Sequence, residues 1–181
     1  MSSVSYEPRL MVVDANQDNL SDLDPRLCRF CVYWESPAEF GTDLAKTVAD
    51  WRRREHYRRP GVGGKIAYLG TRPIGYAQFG PGPAFAARLA EYAAGPPSDD
   101  ALFLACLYVL EEHRGQGIGR ALLEAVLTEA QKRNVRAVET FARRGSTNNC
   151  SGPLEMYLRH GFNIRRGDAE FPLVRHEVTP L

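Results

Sequence analysis

Residues Ala101 to Asn134 read ALFLACLYVLEEHRGQGIGRALLEAVLTEAQKRN. The opening run, Ala101 to Leu110, carries no charge and no polar alternation, which predicts a strand buried on both faces. The closing run has a helical period. Ile118, Leu122 and Val126 recur every four residues, Leu123, Leu127 and Ala130 widen the stripe, and Glu124, Thr128 and Lys132 occupy the other side. Between strand and helix stand Gly115, Gly117 and Gly119, bounded by Arg114 and Arg120. The first turn of such a helix presents unpaired N–H groups and the positive end of its dipole. Glycines let an anion approach that backbone closely, and the arginines add full charges. The loop is therefore suited to a phosphate or pyrophosphate. It is not a P-loop, because no Lys-Ser or Lys-Thr follows the glycines. Nor is it a dinucleotide fingerprint, whose last glycine would fall on Arg120 or Leu122.

The flanking sequence places this unit in a mixed fold. RLMVVDAN predicts a first strand and NLSDLDPR a turn or short helix. A helix is expected from about Ser36 to Tyr57, with Ser36 as cap, Pro37 at the first position and Glu39 closing a capping box. GKIAYLG and PIGYAQFG form a predicted hairpin, and PAFAARLAEYAA a short helix ended by Gly-Pro-Pro. VRAVETFA is a further strand, SGPLEMYLRH a short helix, and FNIRRGD with FPLVRHEV a closing pair of strands. No repeat and no linker interrupts the chain, so the expectation is one α/β or α+β domain spanning 1–181.

Two signatures in this order carry a resemblance. Arg114-Gly115-Gln116-Gly117-Ile118-Gly119 resembles the Q/R-x-x-G-x-G/A loop of the GNAT acyltransferase superfamily. Downstream, MYLRHGF is similar to that family's second signature, a Tyr (Tyr157) four residues before Gly161 and Phe162. The similarity covers about 63–175. It implies a mixed central sheet with splayed central strands, flanked by helices, and acetyl-CoA as co-substrate. Backbone N–H groups from Gly115 through Gln116, Gly117, Ile118 and Gly119 to Arg120 would bind pyrophosphate, with Arg114 beside them. The pantetheine arm would pair with the backbone of Leu107 and Val109 in the splayed gap. Asn149 lies one residue from the commonest register of an Asn that contacts the arm. The N–H of Leu107 would stabilise the oxyanion, and Tyr157 would protonate the departing thiolate.

The general base departs from the resemblance. Some branches place a glutamate at the position of Phe103, and Ala101 to Leu110 contains no acid. Glu139 on the next strand, with Asp100 at the strand's mouth, is the substitute. The expected activity is N-acetyl transfer by direct attack of an unidentified amine acceptor. A binding module of the same fold, holding acyl-CoA without turnover, is the alternative that the missing acid keeps open.

Composition narrows the remaining classes. A net charge of +1 over 181 residues supplies no field for nucleic acid or membrane, and 44% hydrophobic with 25% charged residues suits a globular chain. No signal-type apolar core opens the sequence and no run approaches the about 20 residues of a membrane span, so a cytoplasmic chain with reduced thiols is expected. Cys28-Arg29-Phe30-Cys31 is a lone C-x-x-C, with Cys106 and Cys150 far away in sequence; no metal site is expected. The string WRRREHYRRP, Trp51 to Pro60, concentrates five arginines and reads as the solvated end of a helix or as a site for an acidic partner. His113 and His160 are expected to be solvated. The oligomeric state is open, a homodimer included.

Overall fold

The computed structural model describes residues 8–23, 33–34, 59–146 and 149–179. The helix expected from Ser36 to about Tyr57, the Cys28 and Cys31 pair, and the arginine-rich string up to Arg58 lie outside the described residues.

Seven strands form one mixed sheet: β1 (Leu10–Asp14), β2 (Gly63–Leu69), β3 (Arg72–Pro81), β4 (Ala101–Val109), β5 (Ala137–Phe141), β6 (Asn163–Arg166) and β7 (Leu173–Glu177). Their order across the sheet is β1-β2-β3-β4-β5-β7-β6. All neighbours are antiparallel except β4 and β5. The predicted hairpin is β2–β3, and the closing pair is β6–β7, with β7 inserted between β5 and β6.

Helix α2 (Ile118–Lys132) lies across β1 to β5, and buries the predicted stripe Ile118, Leu122, Leu123, Val126 and Ala130. It ends where Asn134 turns into the left-handed region at φ 53 and the Val135 N–H closes back on Ala130. Helix α3 (Leu154–Arg159) precedes the Gly161-Phe162 pair, burying Leu154 and Tyr157.

The helix expected over PAFAARLAEYAA is shorter than its sequence suggested. A 3₁₀ turn at Gly82–Phe85 leads into a single α turn, α1 (Ala86–Leu89). No side chain caps it, and one turn supplies too few backbone bonds to propagate unaided. It is held by burial of Phe85 and Leu89. The core centres on β4, whose residues are buried apart from a partly exposed Tyr108, as a strand sandwiched on both faces must be.

The register of β4 decides what happens at its C-terminal half. Gln78 pairs with Cys106 but Phe79 with Leu104, leaving Ala105 as a bulge. A bulge bends its strand and increases the local twist. The parallel pairing of β4 with β5 covers Ala101–Phe103 against Ala137–Glu139 and stops there. Beyond that point Thr140 Oγ1 donates to the Leu104 carbonyl at 2.7 Å, and β4 diverges from β5. The central strands are therefore splayed.

Candidate active site

The loop before α2 is shaped by its glycines in two different ways. Gly115 and Gly117 stand at φ 74 and 81, a left-handed backbone, and Gly117 is the N-cap of α2. A Cβ built on either would meet nothing within 4 Å, so these positions face open space. Gly119 is helical, and a Cβ there would lie 3.4 Å from Met156 Sδ and 3.7 Å from Leu107 Cδ2. It lets α2 pack closely on α3 and β4. No side chain caps the first turn of α2, which leaves its N–H groups directed outward. Arg114 Nε donates to the Val109 carbonyl at 3.1 Å, and its guanidinium stands 5.1 Å from the Tyr108 ring centroid. Arg120 is exposed and pairs with Glu124 at 2.7 Å.

This loop, the outward side of Leu107 and Val109, and Met156 and Arg159 of α3 enclose a cavity of about 440 Å³. Every cofactor-binding position expected from the sequence except Gln116 lines it, Asn149 included. Gln116 is exposed, with Nε2 3.4 Å from the Glu112 carbonyl. His113, read from sequence as solvated, is partly buried and lines the same cavity, with its Nε2 buried and without a hydrogen-bond partner among the described residues. Its position two residues beyond Glu111 gave no sequence signal. Only the 3₁₀ turn Glu111–His113 turns it inward.

The gap between β4 and β5 is filled by the chain itself. Asn149 organises the turn: its Nδ2 donates to the Ser146 carbonyl and its Oδ1 accepts the Ser151 N–H, both at 2.9 Å. The Cys150 carbonyl accepts the N–H of Leu107 at 2.9 Å, and Gly152 pairs with Arg143. Tyr157 Oη donates to the Ser151 carbonyl at 2.7 Å from a fully buried position, and burial pushes its phenol well above the ordinary value. A Cβ at Gly152, φ 77, would stand 2.9 Å from that hydroxyl, so only glycine passes there.

A second cavity, about 630 Å³, opens on the other side of β4. Cys106 lines it, whereas the next residue, Leu107, lines the first, as alternation along a strand requires. The bulge brings Phe103 and Cys106 toward one aromatic cluster, in which Trp34 packs edge-on to Phe103 at 5.1 Å and stacks with Tyr92 at 5.5 Å. Asn149 lines both cavities, and Cys150 and Ser151 separate the second from Gly152 and Pro153 in the first.

The expected base is placed otherwise than a base requires. Glu139 is fully buried and accepts from Ser98 N at 2.7 Å, Ser98 Oγ at 2.9 Å and Arg175 Nη1 at 2.9 Å. Asp100 is engaged by the same arginine through two bonds of 2.9 and 3.0 Å, which hold its carboxyl below the usual range. Neither residue lines either cavity. Both are anchors that tie β4, β5 and β7 together. The Leu107 N–H and the fully buried Tyr157 hydroxyl are each engaged by the Cys150–Ser151 backbone, and Tyr157, like Glu139, lines neither cavity. Among the described residues no group of His, Cys, Asp and Glu could hold a metal ion, and no helix is long and apolar enough to cross a membrane.

Comparison with known proteins bears on the fold. The family model of the acetyltransferase (GNAT) family matches residues 28–162. No curated protein matches the chain. Among solved structures it is similar to a PaiA N-acetyltransferase from Thermoplasma acidophilum in complex with coenzyme A. The TM-score is 0.60 at 12% identity, over 93% of this chain and 99% of that one. It is also similar to the GNAT family N-acetyltransferase YhbS of Escherichia coli in complex with CoA, at TM-score 0.60 and 21% identity, covering 98% and 86%. A GNAT family acetyltransferase from Streptococcus pneumoniae gives 0.61 and 13%, covering 94% and 100%. At these identities the likeness is one of fold.

Proposed function

Because the chain belongs to the acetyltransferase (GNAT) family, we propose that it transfers an acetyl group from acetyl-CoA to an amine. The observation that carries this reading is the open cradle at Gly115 and Gly117, where a Cβ meets nothing, continuous with the Leu107–Val109 side of a splayed strand. The uncapped first turn of α2 and Arg114 suit a pyrophosphate, and His113 Nε2 is a further polar group in the same cavity. Bound there, acetyl-CoA supplies an activated acyl carbon at the level of Leu107.

The chain's own groups then have defined tasks. The acceptor's ammonium first gives one proton to solvent; the neutral amine then adds to the acyl carbon, the C–S bond breaks, and the nitrogen's second proton balances the one that the departing thiolate gains. The Leu107 N–H would meet the charge that develops on the carbonyl oxygen, and Tyr157 would supply the proton to sulfur. For either donor to act, its bond to the Cys150 or Ser151 carbonyl has to open. That same engagement, with Phe103 where some relatives carry an acid, favours a second reading in which the protein holds acyl-CoA without turnover.

Calorimetric titration with acetyl-CoA, followed by a CoA-release assay against a panel of amines, tests the proposal. Saturable binding and amine-dependent release are expected. Binding without release above background would establish the second reading, and no binding would remove both.

A further inference from the structure

The second cavity has a composition that the transfer reaction by itself does not dictate. Its walls are aromatic: Trp34, Tyr92 and Phe171 belong to one cluster in which Tyr92 stacks on Phe141 at 4.1 Å and meets Phe171 edge-on at 5.5 Å. Its charged lining is Glu91, Asp168 and Glu170, with no Lys or Arg among the described lining residues. Two of these carboxylates are neutralised from outside, Glu91 by Arg88 at 2.7 Å and Glu170 by Arg143. Asp168 is different. It is partly buried, no ion pair from the described residues reaches it, and its Oδ1 is fixed by the backbone N–H groups of Glu170 at 2.9 Å and Phe171 at 2.6 Å. Its second oxygen accepts no hydrogen bond from the described residues. A carboxylate beside aromatic walls, one of which, Phe171, carries the Arg143 guanidinium over its ring, matches an ammonium group attached to an aromatic ring. The volume of about 630 Å³ is that of a small-molecule site.

We propose that this cavity is the acceptor site, that it takes a small primary amine bearing an aromatic group, and that Asp168 holds the ammonium. The inference rests on the acetyl-transfer reading and specifies its acceptor. It places donor and acceptor on opposite sides of β4, with Asn149 and the Cys150–Ser151 segment as the partition between them. The aromatic body lies against Phe171 and Tyr92. Carboxylate-rich and phosphorylated acceptors are disfavoured by Asp168, the acid that no described cation pairs with.

The experiment uses the full chain with acetyl-CoA and three amines: 2-phenylethylamine, spermidine and the ε-amine of a lysine peptide. Asp168→Asn is the variant, because an amide oxygen still accepts from the Glu170 and Phe171 N–H groups and preserves the turn. Acetyl-CoA affinity is measured separately by calorimetry. Expected are a preference for 2-phenylethylamine, a KM for it raised about 10-fold or more in the variant, and unchanged acetyl-CoA affinity. Inhibition by 2-phenylethanol, which lacks the charge, should survive the substitution. Turnover of spermidine or peptide in preference to the arylalkylamine, or an unchanged KM in Asp168→Asn, overturns the acceptor assignment alone. Failure to bind acetyl-CoA in the unmodified protein overturns the reading beneath it.

Discussion

Gly117 and Gly145 share a backbone conformation and nothing else. Their φ values are 81 and 65, and a Cβ on either would meet nothing within 4 Å. Gly117 lines the first cavity, whereas Gly145 does not. An alanine at each must bear the left-handed strain, roughly 1–2 kcal/mol, and for a chain of this length that lowers the Tm by about 2–8 °C. Only at Gly117 does the methyl group also enter the space where the proposed function seats the pyrophosphate. Gly117→Ala should therefore lose CoA affinity at least several-fold, while Gly145→Ala loses stability alone. Thermal melts and calorimetry on both variants separate strain from obstruction. Equal CoA affinity in the two would remove the loop from the binding site. Gly119 needs a different argument, since its absent side chain makes room for Met156 and Leu107. Three glycines that look alike in the sequence thus answer to two physical demands, of which the spacing announces only the first.

Elements with a strong local pattern were readable in advance, and contacts between elements were not. The period of α2, the apolar run of β4 and the glycine punctuation between them are properties of adjacent residues, so strand, loop and helix follow from the sequence. Arg175 shows the opposite case. It lies 36 residues from Glu139 and 75 from Asp100, and no local pattern ties it to either. Glu139 therefore read as an available carboxylate on β5, whereas in the fold it is a buried anchor. The filling of the gap was equally hidden, because a backbone carbonyl such as that of Cys150 has no sequence signature. The Arg175 cluster carries a pH-dependent prediction. Its hydrogen bonds hold the Asp100 and Glu177 carboxyls below their usual range. That contribution is present above the ordinary carboxyl pKa of about 4 and is lost as pH falls through the depressed values. Arg175→Leu removes it and also leaves Glu139 buried without its cation, a change that typically costs about 3–5 kcal/mol. The Tm difference between wild type and Arg175→Leu should thus be full above pH about 4 and narrow as pH falls below that value. A constant difference across that range would mean that lost packing around the guanidinium stem, not charge, accounts for the variant.

Across the whole molecule, the splay of β4 from β5 turns one sheet into a wall with a cavity on each side. The bulge at Ala105 and the end of the parallel pairing at Phe103–Glu139 create the opening, and Asn149 is the residue both cavities share. Such an arrangement has a kinetic consequence. Under the proposed direct attack, the amine on one side and the thioester on the other have to be present together, so the proposal requires a ternary complex of acetyl-CoA and acceptor. The competing possibility is visible in the same cavity, because the thiols of Cys106 and Cys150 both line it. A cysteine could accept the acyl group first, releasing CoA before the amine arrives. The two schemes differ in their initial-velocity patterns. Double-reciprocal plots against acetyl-CoA at several acceptor concentrations should intersect, and turnover should persist in the Cys106→Ala, Cys150→Ala double variant. Parallel lines, with acyl transfer abolished when Cys150 alone is replaced, would show that the acyl group rests on the protein. In that case the Cys150 segment is a participant in the chemistry, and the engagement of its carbonyl with Leu107 N–H holds a nucleophile at the opening.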